Sequence, residues 1–180
     1  MEEHRRSGYD RRRGQADFPH NRRSGHERRR LLREFPVLRE KVRNTDIFRG
    51  MTDDQFKSIL SIGREVEFGA GETVFTEGDY AEDVFILIEG ILQVSLHNRE
   101  LSVLAPAVLV GEMGVFTGDP RSATIVAKTD ATLLKLNELE LLRLFENDPG
   151  LCRQFQHGMI IDLAHKLRQS NETITTFKGR

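Results

Sequence analysis

Between Gly111 and Thr124 the chain reads GEMGVFTGDPRSAT, which gathers an acid, a guanidinium, a hydroxyl and three glycines into one short segment. Glu112, when ionised, can accept hydrogen bonds from a sugar hydroxyl, and Arg121 offers a forked cation to phosphate oxygens. Ser122 adds a hydroxyl. Gly111, Gly114 and Gly118 let the backbone come close to a ligand and turn sharply, so that N–H groups can point inward as an anion nest. Together these groups suit a sugar phosphate. A Glu and an Arg nine residues apart are also an ordinary surface pair, and residue types alone favour that reading.

A site of this kind needs rigid elements on either side. Short apolar runs supply them at Val66 and Phe68, Val74 and Phe75, Val84 to Ile88, Ile91 to Leu96, Leu101 to Leu104, Val108 to Val110, Ala123 to Ala127, and Ala131 to Leu136. Gly, Pro, Asn and Asp punctuate them at the spacing of an antiparallel barrel or double-sheet roll. In front, Thr52 and Gln55 form a capping-box pair that predicts a helix over 52–62, ended by Gly63. Behind, Leu139 to Phe145 return to helical period. Asp148 suits an N-cap and Pro149 the first turn of a further helix running to about Asn171. The expected class is mainly β with flanking helices: an antiparallel double-sheet jelly-roll barrel with an N-terminal helix and two C-terminal helices.

With 180 residues the chain suits one domain with a full core plus a tail. No apolar stretch approaches the roughly 20 residues of a membrane span. The start, MEEHRRSGYDRRR, lacks the apolar centre of a secretory signal, and the single Cys152 cannot form an internal disulfide, so a cytoplasmic location is expected. The net charge of −1 conceals a division. Residues 1–44 hold 14 Arg and Lys against 7 Asp and Glu, and the remainder holds 13 against 21. Within the basic part, RRSGYDRRR from Arg5 to Arg13 returns as RRSGHERRR from Arg22 to Arg30. Almost nothing in it can be buried, so residues 1–30 are expected to be a disordered Arg-rich tail. Paired arginine clusters can hold phosphates of nucleic acid, an anionic membrane or an acidic surface, and they can equally be a solvated, solubilising extension. Leu31, Phe35, Leu38 and Val42 then predict a helical connector over 31–44, with the folded domain over 45–180.

The segment Gly111 to Thr124 resembles the phosphate-binding cassette of cyclic-nucleotide-binding domains, which reads Gly-Glu, a spacer of seven or eight residues, then Arg-Ser/Ala/Thr-Ala. The resemblance extends from Asn44 to about Ile174 through the phrases GETVFTEGDYAEDVFILIEG and RSATIVAKTDATLLKLNELELLRLF. It implies that Glu112 binds the ribose 2′-hydroxyl and Arg121 the cyclic phosphate, with Gly111 and the backbone of Ser122 and Ala123 completing the cradle. Where the family commonly has a Gly-Asp turn before the cassette, this chain has Pro106, Ala107 and Val108. The last helix resembles that of the catabolite activator branch, where it pairs two subunits and its polar end touches the base. This implies base contacts for Ser170 and Asn171. Ile160, Ala164, Leu167, Asn171 and Ile174 alternate steps of four and three, the seam of a short coiled coil, in which Asn171 equally suits a polar register position. A helix packed only on its own barrel would also show such a pattern.

The residues left for other chemistry are few. Of the six histidines only His97 lies among the strands, so no metal triad of a cupin-type enzyme can be drawn, and no GxSxG phrase is present. The stretch after the last helix is too short for a helix-turn-helix. The sequence therefore reads as a cyclic-nucleotide sensor and not an enzyme, with cyclic AMP as expected ligand, cyclic GMP also compatible with Ser122, and no cofactor or metal. A homodimer through the last helix and a separate effector are the expected partners. Two alternatives are a ligand-free interaction scaffold of the same fold and a nucleic-acid or anion binder acting through the tail.

Overall fold

A computed structural model of the chain describes residue 40 and residues 42–178, with side chains through residue 172. The Arg-rich tail and all but the end of the 31–44 connector lie outside the described residues. Ser170 and Asn171 are inside them, whereas the Ile174 side chain is not.

After a 3₁₀ turn at Asp46–Phe48 come α1 (Asp53–Ile62), β1 (Arg64–Phe68), β2 (Thr73–Phe75), β3 (Asp83–Glu89), β4 (Leu92–Leu96), β5 (Arg99–Leu104) and β6 (Leu109–Val110). There follow α2 (Glu112–Thr117), β7 (Thr124–Ala127), β8 (Ala131–Asn137), α3 (Glu138–Asn147) and α4 (Pro149–Lys178). The strands form two antiparallel four-stranded sheets, in the orders β1-β8-β3-β6 and β2-β7-β4-β5. This is the jelly-roll arrangement expected from the turn spacing.

Local chemistry sets the element ends. Thr52 accepts from the Gln55 N–H and the Gln55 side chain accepts from the Thr52 N–H, so the capping box that opens α1 is closed on both sides. Asp148 accepts from the Leu151 N–H at 2.9 Å and opens α4 as an N-cap, which holds its carboxyl below the ordinary range. At the β4–β5 hairpin His97 and Asn98 take φ of 49° and 61°, the two left-handed residues of a tight turn that matches strand twist.

The run VFILI in β3 is apolar throughout because its sheet is covered on both faces. Phe85 and Leu87 join Val74, Leu92, Val110 and Ile125 between the sheets. Val84, Ile86 and Ile88 point the other way, onto a second core built from Ile47, Phe48, Phe56, Ile59, Leu141, Leu151 and Phe155. The first sheet is thus clamped between the second sheet and the helices. Cys152 is half-buried against this helical core.

One local expectation is corrected. The cassette, read as a glycine-bearing bend, contains the short helix α2, flanked by Gly111 and Gly118 in left-handed conformation at φ 82° and 74°. Two bounding glycines and an internal Gly114 hide a helix of six residues from any periodicity argument. The unusual turn before the cassette has a left-handed residue at Ala107, φ 81°. An alanine there carries about 1 kcal/mol of backbone strain that a glycine would avoid.

On the β1 face, burial together with the nearby Glu67 and Glu89 carboxylates pushes the Glu65 carboxyl up from 4.5 to about 7. A raised acid binds its proton more tightly folded than unfolded, so its contribution is complete below pH 4.5 and fades as pH rises through about 7. Above that pH an ionised, half-buried Glu65 works against folding. Since the group is only half-buried and solvent screens it, Glu65→Gln is expected to add only about 1 kcal/mol at pH 8, or about 2–4 °C in Tm. Scanning calorimetry should find the gain at pH 8 and none at pH 4.

Candidate functional site

Glu112 and Arg121 are both buried, at 4 % and 6 % exposure, which removes the ordinary surface pair from consideration. A charge that deep needs partners. Arg121 donates from Nη1 to the Gly111 carbonyl at 2.8 Å and from Nη2 to the Asp83 carbonyl at 2.7 Å. Its guanidinium lies 4.2 Å from the centre of the Phe75 ring and 5.9 Å from that of Phe85. The chain enters this position fixed at both backbone atoms, the Arg121 N–H donating to Asp79 O and Arg121 O accepting from the Gly78 N–H. Burial lowers the guanidinium pKa, and the Asp83, Asp79 and Glu112 carboxylates pull it back up. Its third nitrogen, Arg121 Nε, is buried without a hydrogen-bond partner.

Gly111 is required here for two reasons. Its φ is 82°, and a Cβ on it would sit 2.4 Å from Arg121 Nη1. The same approach lets its carbonyl receive the guanidinium. Ser122, exposed, has its hydroxyl 3.7 Å from Met113 Sδ, and Ala123 is half-buried. No hydrogen bond among the described residues uses the N–H of Ser122 or Ala123, so both remain available.

Glu112 at the start of α2 is held by a residue that the sequence reading did not identify. Lys166 of α4 reaches Glu112 Oε1 at 2.9 Å, Asp162 Oδ2 at 2.7 Å and the Leu109 carbonyl at 2.5 Å. The second carboxylate oxygen, Glu112 Oε2, has no partner among the described residues. Asp162 also accepts from the Leu109 backbone; its carboxyl is raised by burial and lowered again by Lys166. A sequence signal existed. Leu151, Phe155, Gly158 and Asp162 are the buried positions of α4, and an Asp followed four residues later by a Lys on such a stripe must pair indoors.

The coiled-coil seam falls on another face. Ile160 is 61 % and Leu167 63 % exposed, so these residues do not pack the helix onto its own barrel. Ser170 and Asn171 lie exposed beyond Lys166 on the part of α4 that leaves the barrel.

Residues 65–148 match the family model described as the cyclic nucleotide-binding domain. The Pycsar effector protein XpPycTIR of Xanthomonas perforans is 28 % identical over 123 residues, 68 % of this chain and 39 % of that protein. The cGMP-dependent protein kinase egl-4 of Caenorhabditis briggsae is 25 % identical over 131 residues, 73 % of this chain and 17 % of that one. The chain thus spans well under half the length of these two relatives. Among solved structures, the catabolite activator protein of Thermus thermophilus superposes with a TM-score of 0.62 at 25 % identity, over 74 % of this chain and 63 % of that one. Over residues 65–148 the chain thus matches the cyclic nucleotide-binding domain family, and its jelly roll agrees with that match.

Proposed function

We propose that the chain senses cyclic AMP in the cytoplasm, with Glu112 accepting from the ribose 2′-hydroxyl and Arg121 paired with the cyclic phosphate. Gly111 and the N–H groups of Ser122 and Ala123 complete the cradle. Ser170 and Asn171 contact the base when α4 closes over the ligand. The observation that carries this reading is the cation of Arg121, buried with its Nε unpartnered on a framework of backbone and aromatic rings. A buried guanidinium with Nε–H unpaired costs free energy that an entering anion recovers. Glu112 Oε2 and the two free N–H groups offer the remaining contacts. Signalling runs through α4, whose exposed Ile160 and Leu167 suit a second copy of the chain and whose position ligand binding biases. Output passes to a separate effector.

Titration calorimetry with cyclic AMP and cyclic GMP tests the reading. Heat from cyclic AMP with the weaker response from cyclic GMP is the expected result. The reverse order would assign guanine preference, in keeping with the cGMP-dependent relative. No heat from either at high micromolar ligand would leave an interaction scaffold of the same fold.

A further inference from the structure

We propose that Lys166, on the last helix, is the positioning residue of the ribose subsite: it fixes the Glu112 carboxylate through Oε1 and so presents Oε2 to the 2′-hydroxyl. The inference rests on reading Glu112 as the ribose acceptor and adds the residue that makes it one.

The ammonium is held on three sides. Lys166 donates to Leu109 O at 2.5 Å and to Glu112 Oε1 at 2.9 Å, and it forms an ion pair with Asp162 Oδ2 at 2.7 Å. Its orientation is therefore not free. β6, which carries Leu109, is the edge strand of its sheet, and α4 occupies both backbone groups of that residue, the carbonyl with Lys166 and the N–H with Asp162. Leu109 is three residues before Glu112. The helix is thus registered on the strand that leads directly into the cassette, and the ammonium inherits that register.

Competition between Lys166 and a ligand is not required. A carboxylate has about four lone-pair sites on two oxygens, and Lys166 uses one oxygen only. A hydroxyl donating to Oε2 leaves the lysine contact intact. Charge points the same way: Lys166 lies beside both the Glu112 and the Asp162 carboxylates and offsets negative charge that an entering anion would meet. Without Lys166 two buried carboxylates would face the phosphate with one guanidinium.

Lys166→Met alone strands those carboxylates and risks the fold, so the test uses Asp162→Asn with Lys166→Met, which leaves the net charge unchanged. Calorimetry is run on wild type and the double variant with cyclic AMP and with 2′-deoxy cyclic AMP, which keeps the phosphate and base but lacks the hydroxyl. Wild type should prefer cyclic AMP by about tenfold, the worth of one charge-assisted hydrogen bond. In the double variant cyclic AMP should weaken by about tenfold and 2′-deoxy cyclic AMP by less than about twofold, since only the hydroxyl contact depends on the lysine. Equal weakening of both ligands, or none, overturns the proposal and makes the lysine a structural tie. Wild type that binds neither nucleotide fails the sensor reading itself, and wild type that binds both alike fails the ribose role of Glu112 and this inference with it.

Discussion

Arg121→Ala is expected to weaken cyclic AMP binding by about a hundredfold and to lower stability as a separate effect. A buried guanidinium on a phosphate makes two charge-assisted contacts, and losing them costs about 3 kcal/mol, which is two decades in Kd. The loss of stability has a different origin. The side chain ties the Gly111 and Asp83 carbonyls together and covers Phe75, so truncation leaves two acceptors and a gap behind. Relief of the buried charge offsets part of this, and the net loss is about 1–3 kcal/mol. Arg121→Lys separates the two effects. It keeps a cation for the phosphate but cannot bridge two carbonyls and a ring with one ammonium, so it should retain more affinity than the alanine variant while losing similar stability. Calorimetry and thermal melts on both variants give the comparison, and unchanged affinity in Arg121→Ala would remove Arg121 from the site.

The parts of this architecture that sequence made legible are those specified by neighbouring residues. Thr52 with Gln55 and Asp148 with Leu151 are contacts across three positions, and they mark the starts of α1 and α4 as observed. Turn residues between apolar runs likewise counted eight strands. The cassette was legible for a different reason: its spacing matched a family pattern, whereas residue chemistry alone favoured a surface pair. Burial decides that point, and burial is a property of the assembled sheets. Lys166 shows what local reasoning misses. Its distance along the chain from Glu112 is 54 residues, and nothing near either residue announces the other. The helical seam had two readings because a short step pattern gives faces without saying which neighbour covers them. The docked face of α4 proves to be Leu151, Phe155, Gly158 and Asp162, leaving the seam exposed.

Gly158→Ala should lower Tm by about 2–8 °C, although helix propensity predicts a gain of about 1 kcal/mol for that exchange. The sign depends on what the new methyl meets. A Cβ at 158 would stand 2.5 Å from the Asp46 carbonyl oxygen, 2.6 Å from Ile47 Cα and 2.8 Å from Ile47 O. These are backbone atoms of the 3₁₀ turn and cannot rotate aside as a side chain would. Accommodation therefore requires α4 and the turn to part, which loosens Ile47 and Phe48, both 1 % exposed, and stretches the 2.9 Å contact between His165 and Asp46. Overpacking of this kind costs about 1–3 kcal/mol or more, which outweighs the propensity gain. The functional consequence follows from the chain itself. Lys166 lies two helical turns beyond Gly158, so a helix displaced at 158 carries the ammonium away from Glu112, and cyclic AMP affinity should fall together with Tm. A melt that shows Gly158→Ala more stable than wild type would mean that α4 does not rest on the 3₁₀ turn, and the path from the cassette to the N-terminal side of the domain would then have to run elsewhere.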